Sequence, residues 1–177
     1  MKTRLASIGL VLLFMGALAS MSFAQQPKIG VVNSQDVLEK SAEGKKIIAR
    51  LTEADKANNA AIVKLDDEIR ALQTKLNTQR ITLTEEAIMQ LSYELDRKNT
   101  DRKRKAEDAY TSINELRDRL FKKLQDEIVP LVEQIGKEKG MDIIFDLYKS
   151  GAVYCSPAID FTAEVIKRYD AMKASGK

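Results

Sequence analysis

The side chains that most often perform chemistry are nearly missing from this chain. Histidine is absent and Cys155 is the only thiol, so the commonest general base and the commonest zinc ligand are both lacking, and one cysteine cannot stand in for either. The carboxylates are scattered rather than convergent. Residues 136–140 read GKEKG, but the Lys-Ser or Lys-Thr that a phosphate-binding loop requires does not follow the second glycine. These features argue against acid–base, metal and nucleotide chemistry, call for no cofactor, and point away from an enzyme. Cys155 itself reads as a buried thiol in a strand, with no second cysteine for an intrachain disulfide.

What remains is contact chemistry. Met89, Tyr93 and Tyr110 are large, polarizable groups of the kind that suits an adaptable binding surface. They stand out because residues 47–79 contain no aromatic. Phe121, beside Leu120 and Leu124, reads instead as packing within a helical seam. A second resource is charge: Arg97 and Lys98, then Arg102, Lys103, Arg104 and Lys105, form a basic stretch interleaved with Asp96, Asp101, Glu107 and Asp108.

The elements that must carry these groups begin with an export signal. Lys2 and Arg4 precede an apolar run from Leu5 to Ala19, and Ser22-Phe23-Ala24 supplies small residues where a signal peptidase reads, so residues 1–24 are expected to be a cleaved signal peptide. The run is shorter than the roughly 20 residues of a membrane-spanning helix. Without Lys2 and Arg4, the 29 Lys and Arg fall to 27 against 26 Asp and Glu. A nearly neutral, exported chain is a poor candidate for nucleic-acid binding.

Ile29, Val31 and Val32 predict a strand, followed by a short helix capped at Asn33 and a longer one capped at Ser41, with Glu43 in its first turn. Ile48, Leu51, Asp55, Asn58, Ile62, Leu65, Ile69, Leu72 and Leu76 then recur at coiled-coil spacing. The stripe returns through Ile88, Leu91, Leu95, Ala109, Ile113, Leu116, Leu120, Leu124, Ile128, Leu131 and Ile135. A tip near 79–84, with Thr82 and Glu85 as a capping box, sets Asn58 against Ala106 and Asp55 against Ala109. Both helices thin at that height, over Asp55–Ala61 and Asp96–Glu107, which predicts a soft elbow at Asp55, Asn58 and Ala106. At about 1.5 Å per residue, a helix over 47–79 projects roughly 50 Å and must be mostly solvated.

Pro130 predicts a bend at the base of the returning helix, and Gly140 its end. Ile143, Phe145 and Leu147 alternate with polar or outward positions, and Lys149-Ser150-Gly151 can turn the chain into Ala152–Cys155, which reads as a β-hairpin. Asp160 can cap a last helix carrying Phe161, Val165, Tyr169 and Met172. The expected fold is therefore α+β but predominantly helical: residues 25–46 and 131–177 form a discontinuous β-body, and 47–130 form a protruding antiparallel coiled-coil arm. Ile29, Val31, Val32, Ile143, Phe145, Val153 and Cys155 should fill the body core and, on the opposite strand faces, a subunit interface. So small a body is incomplete alone, and oligomerisation is the natural remedy.

Three stretches carry a specific likeness: KIGVVNSQDVLEKSAEGKK from Lys28 to Lys46, MDIIFDLYKSGAVYCSP from Met141 to Pro157, and IDFTAEVIKRYD from Ile159 to Asp170. With arms matching in length and pattern, the chain resembles the Skp or OmpH-like periplasmic chaperones of Gram-negative bacteria over nearly all of its exported part. The resemblance implies a homotrimer whose strands form a small barrel and whose arms surround a cavity. It implies a periplasmic location and ATP-independent holding of unfolded outer-membrane proteins, with Met89, Tyr93 and Tyr110 as client-contact candidates. It also implies contact of Arg97, Lys98, Arg102, Lys103, Arg104 and Lys105 with anionic lipid or lipopolysaccharide. The same basic residues read equally as the solvated face of a long helix. A structural coiled-coil adaptor of the envelope and a peripheral binder of anionic membranes are the alternatives.

Overall fold

The chain is described by a computed structural model covering residues 26–176. The expected signal peptide lies outside the described residues. Strand β1 (Ile29–Val32) leads into helix α1 (Ser34–Lys40), and the Asn33 side chain accepts hydrogen bonds from the Gln35 and Asp36 N–H groups, which begins that helix. Ser41 ends α1 and caps α2 (Ala42–Gln79), its buried hydroxyl accepting from the Gly44 N–H at 3.1 Å. The corner is so tight that a β-carbon on residue 44 would run into the Leu38 backbone, so only glycine fits there.

Helix α3 (Glu85–Lys139) returns after a turn in which the Thr82 and Leu83 N–H groups both donate to the Gln79 carbonyl. The cap is Thr84, accepting from the Ala87 N–H at 3.2 Å, and not Thr82 as expected; the Thr82 hydroxyl is occupied instead by the Gln79 carbonyl. Pro130 lies inside α3, and Gly140, at φ 62°, closes it. Its N–H donates to the Lys137 carbonyl and that of Met141 donates to Gly136, which satisfies the last carbonyls of the helix.

Strand β2 (Ile143–Asp146) pairs with β1 in parallel, Ile29 opposite Ile143 and Val32 opposite Asp146. The whole arm is thus the crossover between two neighbouring strands. The expected hairpin over 142–155 does not form within the chain. The Asp146 carboxylate accepts from the Tyr148 N–H and caps one helical turn, α4 (Leu147–Ser150), which Gly151 closes at φ 71°. A short acid that bonds its own downstream backbone competes with strand extension. Ala152–Cys155 therefore pairs with nothing in the described residues as a strand. A bridge from Val31 to Asp160 flanks β1 on its other side, ahead of the last helix, α5 (Thr162–Ala174).

Two apolar clusters hold the body together. Val32, Val37, Ile135 and Val165 form one, with Ile144 and Phe161 packed on it; Ile47, Leu120, Leu124 and Tyr169 form the other, at the root of the arm. Full burial of each aliphatic side chain contributes about 1.5–3 kcal/mol. No residue between Leu51 and Leu116 joins either cluster, so among the described residues the outer arm is held only by contact between α2 and α3.

Candidate functional site

On the arm, Met89, Tyr93 and Tyr110 are 69%, 73% and 74% exposed. On the same helix Leu91 and Leu95, opposite Met89 and Tyr93, are half-buried, and Ala109, beside Tyr110, is buried. The three groups therefore contribute little to the hairpin seam and stand ready for an external partner. Phe121 is at the margin of exposure, beside the buried Leu120 and Leu124. At the turn, Ile81 is fully exposed; its place outside both heptad stripes was the available signal.

The basic stretch separates into two kinds of residue. Lys98 donates to Glu68 at 2.6 Å, and Arg102 meets Asp66 through Nε at 3.0 Å and Nη2 at 3.4 Å. The Lys98 ammonium holds the Glu68 carboxyl below the usual carboxylate range, and Asp66 raises Arg102 above its own. Both cations face α2. Arg97, Lys103, Arg104 and Lys105 remain exposed.

At the expected elbow both helices run unbroken. Asp55 is exposed and accepts from Asn59 on its own helix at 3.0 Å rather than facing Ala109, which is buried. Asn58 and Ala106 are half-buried. Asn58 reaches Ser112 at 3.5 Å, not Ala106. Side chains lean towards the N-terminus of their own helix. In an antiparallel pair, each residue on α2 therefore touches one further along α3 than the residue level with it. The sparse stretch shifts accordingly: on α3 it begins after Arg102, because Lys98 and Arg102 are engaged. Between Ile47 and Ile69, α2 has no buried residue.

The body presents the other candidate surface. Val31 and Val32 are buried, whereas Ile29, Ile143 and Phe145 are exposed, Phe145 at 44%. Burial alternates along β2, with Ile144 turned to the core. Val153 is fully exposed and Cys155 half-buried, so neither completes the core of a single chain. Tyr148 and Tyr154 are exposed apolar neighbours that the strand pattern alone did not single out. An open groove of about 700 Å³, lined by Val37, Phe121, Ile128, Val132, Ile144 and Phe145, lies beside this face.

The polar side of the body is structural. Tyr169 donates its hydroxyl to Glu127 at 2.6 Å, and Lys173 meets the same carboxylate at 3.1 Å. Burial alone would raise Glu127, but these two hydrogen bonds prevail and hold it below the ordinary range. Burial, then the bond to Glu127, pushes the Tyr169 phenol well up. Arg168 bridges Glu138 and Glu164, each at 2.6 Å. Among the described residues no three His, Cys, Asp or Glu side chains converge as a metal-binding group.

A family model described as outer membrane protein (OmpH-like) matches residues 28–169. No curated protein sequence matches the chain. Among solved structures, an OmpH-like protein from Caulobacter crescentus CB15, described as a candidate outer membrane chaperone, superposes with a TM-score of 0.71 at 19% identity, covering 82% of this chain and 85% of that one. At that identity the likeness is one of fold.

Proposed function

Because this chain belongs to the OmpH-like family of outer membrane proteins, we propose that it is an ATP-independent periplasmic holdase that keeps unfolded outer-membrane proteins from aggregating. The exposure of Met89, Tyr93 and Tyr110 on a long solvated arm carries this reading. Several weak, adaptable contacts on each arm would retain a client without fixing it, and multiple arms would raise affinity by effective concentration. The chaperone description of the Caulobacter neighbour supports it.

The assembly in this reading is a homotrimer. Ile29, Ile143 and Phe145 on the strands, and the fully exposed Val153 after them, are apolar groups left uncovered among the described residues, and such groups favour association. The arms then surround a common cavity, and the sparse stretch near Asp55, Asn58 and Ala106 lets each bend to clients of different size.

The test is turbidity. Unfolded porin diluted from urea should stay clear in stoichiometric excess of the protein without ATP. Replacing Met89, Tyr93 and Tyr110 together by Ser should weaken retention by on the order of tenfold, equivalent to about 1.4 kcal/mol. Unchanged aggregation in the presence of the intact protein overturns the holdase.

The exposed Arg97, Lys103, Arg104 and Lys105 support a second reading, binding to anionic lipid or lipopolysaccharide. It requires sedimentation with anionic vesicles that salt abolishes and that is lost when these four residues are neutralised. Cosedimentation unaffected by either change rules that reading out.

A further inference from the structure

Among the described residues, only two ion pairs join α2 to α3, Glu68 with Lys98 and Asp66 with Arg102. The other charged contacts on the outer arm, such as Asp67 with Arg70, stay within one helix. The two crossing pairs lie side by side next to Ile69, the one buried residue on α2 beyond Ile47. On the body side of them lies the sparse stretch; on the tip side, Leu72 and Leu76 of α2 and Leu91 and Leu95 of α3 are half-buried.

A repeating apolar stripe specifies poorly which heptad faces which, since a slide by one repeat brings Leu against Leu again. Charges break that degeneracy. Slid one heptad in one sense, Asp66 and Glu68 would move onto Leu95 and Leu91, and two carboxylates would lose their partners against apolar side chains. Slid in the other sense, Lys98 would meet Lys75 and Arg102 would meet Gln73. Half-exposed ion pairs add little to stability, but the difference between a matched and a mismatched register is a specificity term. The two-point contact of Arg102 on Asp66 adds directional constraint.

We propose that Asp66, Glu68, Lys98 and Arg102 form a charged clamp that fixes the heptad register of the outer arm, so that its tip half moves as one aligned unit while bending is confined to the sparse stretch nearer the body. The clamp would act whether or not the arm grips a client, so its test is independent of the holdase reading.

Spin labels at Thr74 and Ser92, both exposed, in a Cys155→Ser background with labelled chains diluted in unlabelled protein, report the alignment of the two helices by pulsed dipolar spectroscopy. The unmutated clamp should give one narrow distance. Asp66→Asn with Glu68→Gln should add a second population, axially displaced by about 10 Å, one heptad of helical rise. Salt near 1 M, where screening falls to roughly 3 Å, should add the same population. Exchanging the charges (Asp66→Arg, Glu68→Lys, Lys98→Glu, Arg102→Asp) should restore a single peak. A neutralised arm that keeps one narrow distance overturns the clamp. So does a charge-exchanged arm that keeps its helix content but not its single register.

Discussion

At the scale of single residues, the most constrained group is the Glu127 carboxylate, which ties α5 to α3 through Tyr169 and Lys173. Its depressed pKa means that the folded state holds the carboxylate more tightly than the unfolded chain does. The resulting stability is present above the ordinary value of 4.5 and is lost as pH falls through the lower folded value. Tyr169 works in the opposite sense: raised above its ordinary 10.0, it contributes stability that declines as pH rises beyond that value. Urea midpoints should therefore be flat between these limits and fall on both sides. Tyr169→Phe should cost about 1.5–3 kcal/mol near neutral pH, as for a hydrogen bond to a charged group, and should flatten the alkaline fall. Gly44→Ala should cost about 1–3 kcal/mol in the same measurement, because a β-carbon has no room against the Leu38 backbone. Neither effect was visible in the sequence: Glu127 and Tyr169 are distant in the chain, and the Ser41 cap was legible while the closeness behind it was not.

At the scale of elements, the arm's behaviour depends on where apolar contact runs out. Hydrogen exchange should be faster over Asp55–Ala61 and the part of α3 after Arg102 than around Ile69, where seam and ion pairs coincide. Ala54→Leu with Asn58→Leu, at two half-buried positions of α2, would fill the seam and should slow that exchange; equal exchange along the whole unmodified arm would remove the elbow. The two long helices, their caps at Ser41 and Gly140, and the turn after Gln79 could be read from periodicity and capping residues because those signals are local. The residues 142–155 could not. Strand alternation there is genuine through Asp146, but a side-chain cap and a left-handed glycine outcompeted the second strand within one chain. The lateral register was also out of reach, because levelling residues by their distance from the tip ignores the lean of side chains along each helix.

At the scale of the whole molecule, the exposed body residues belong together. Ile143 and Phe145 occupy one face of β2, and among the described residues the edge of β2 away from β1 carries no strand. An open edge beside exposed apolar side chains is unfavourable in water unless something covers it. Val153 and Tyr154 supply an apolar segment of the same chain that is itself uncovered. Among the described residues a single chain thus leaves both an edge and an apolar segment without partners, whereas copies arranged around an axis could satisfy each with the other. Phe145→Asp places a charge in the middle of that face and should dissociate the proposed trimer, read as a threefold fall in mass by multi-angle light scattering. Because Phe145 is not part of either body cluster, the monomer should keep its helix content. Full-sized particles after that change would mean that the copies associate elsewhere. Dissociation with the helices intact would place the interface on this face and leave each arm without a shared cavity, so aggregation of unfolded porin should resume at the same time.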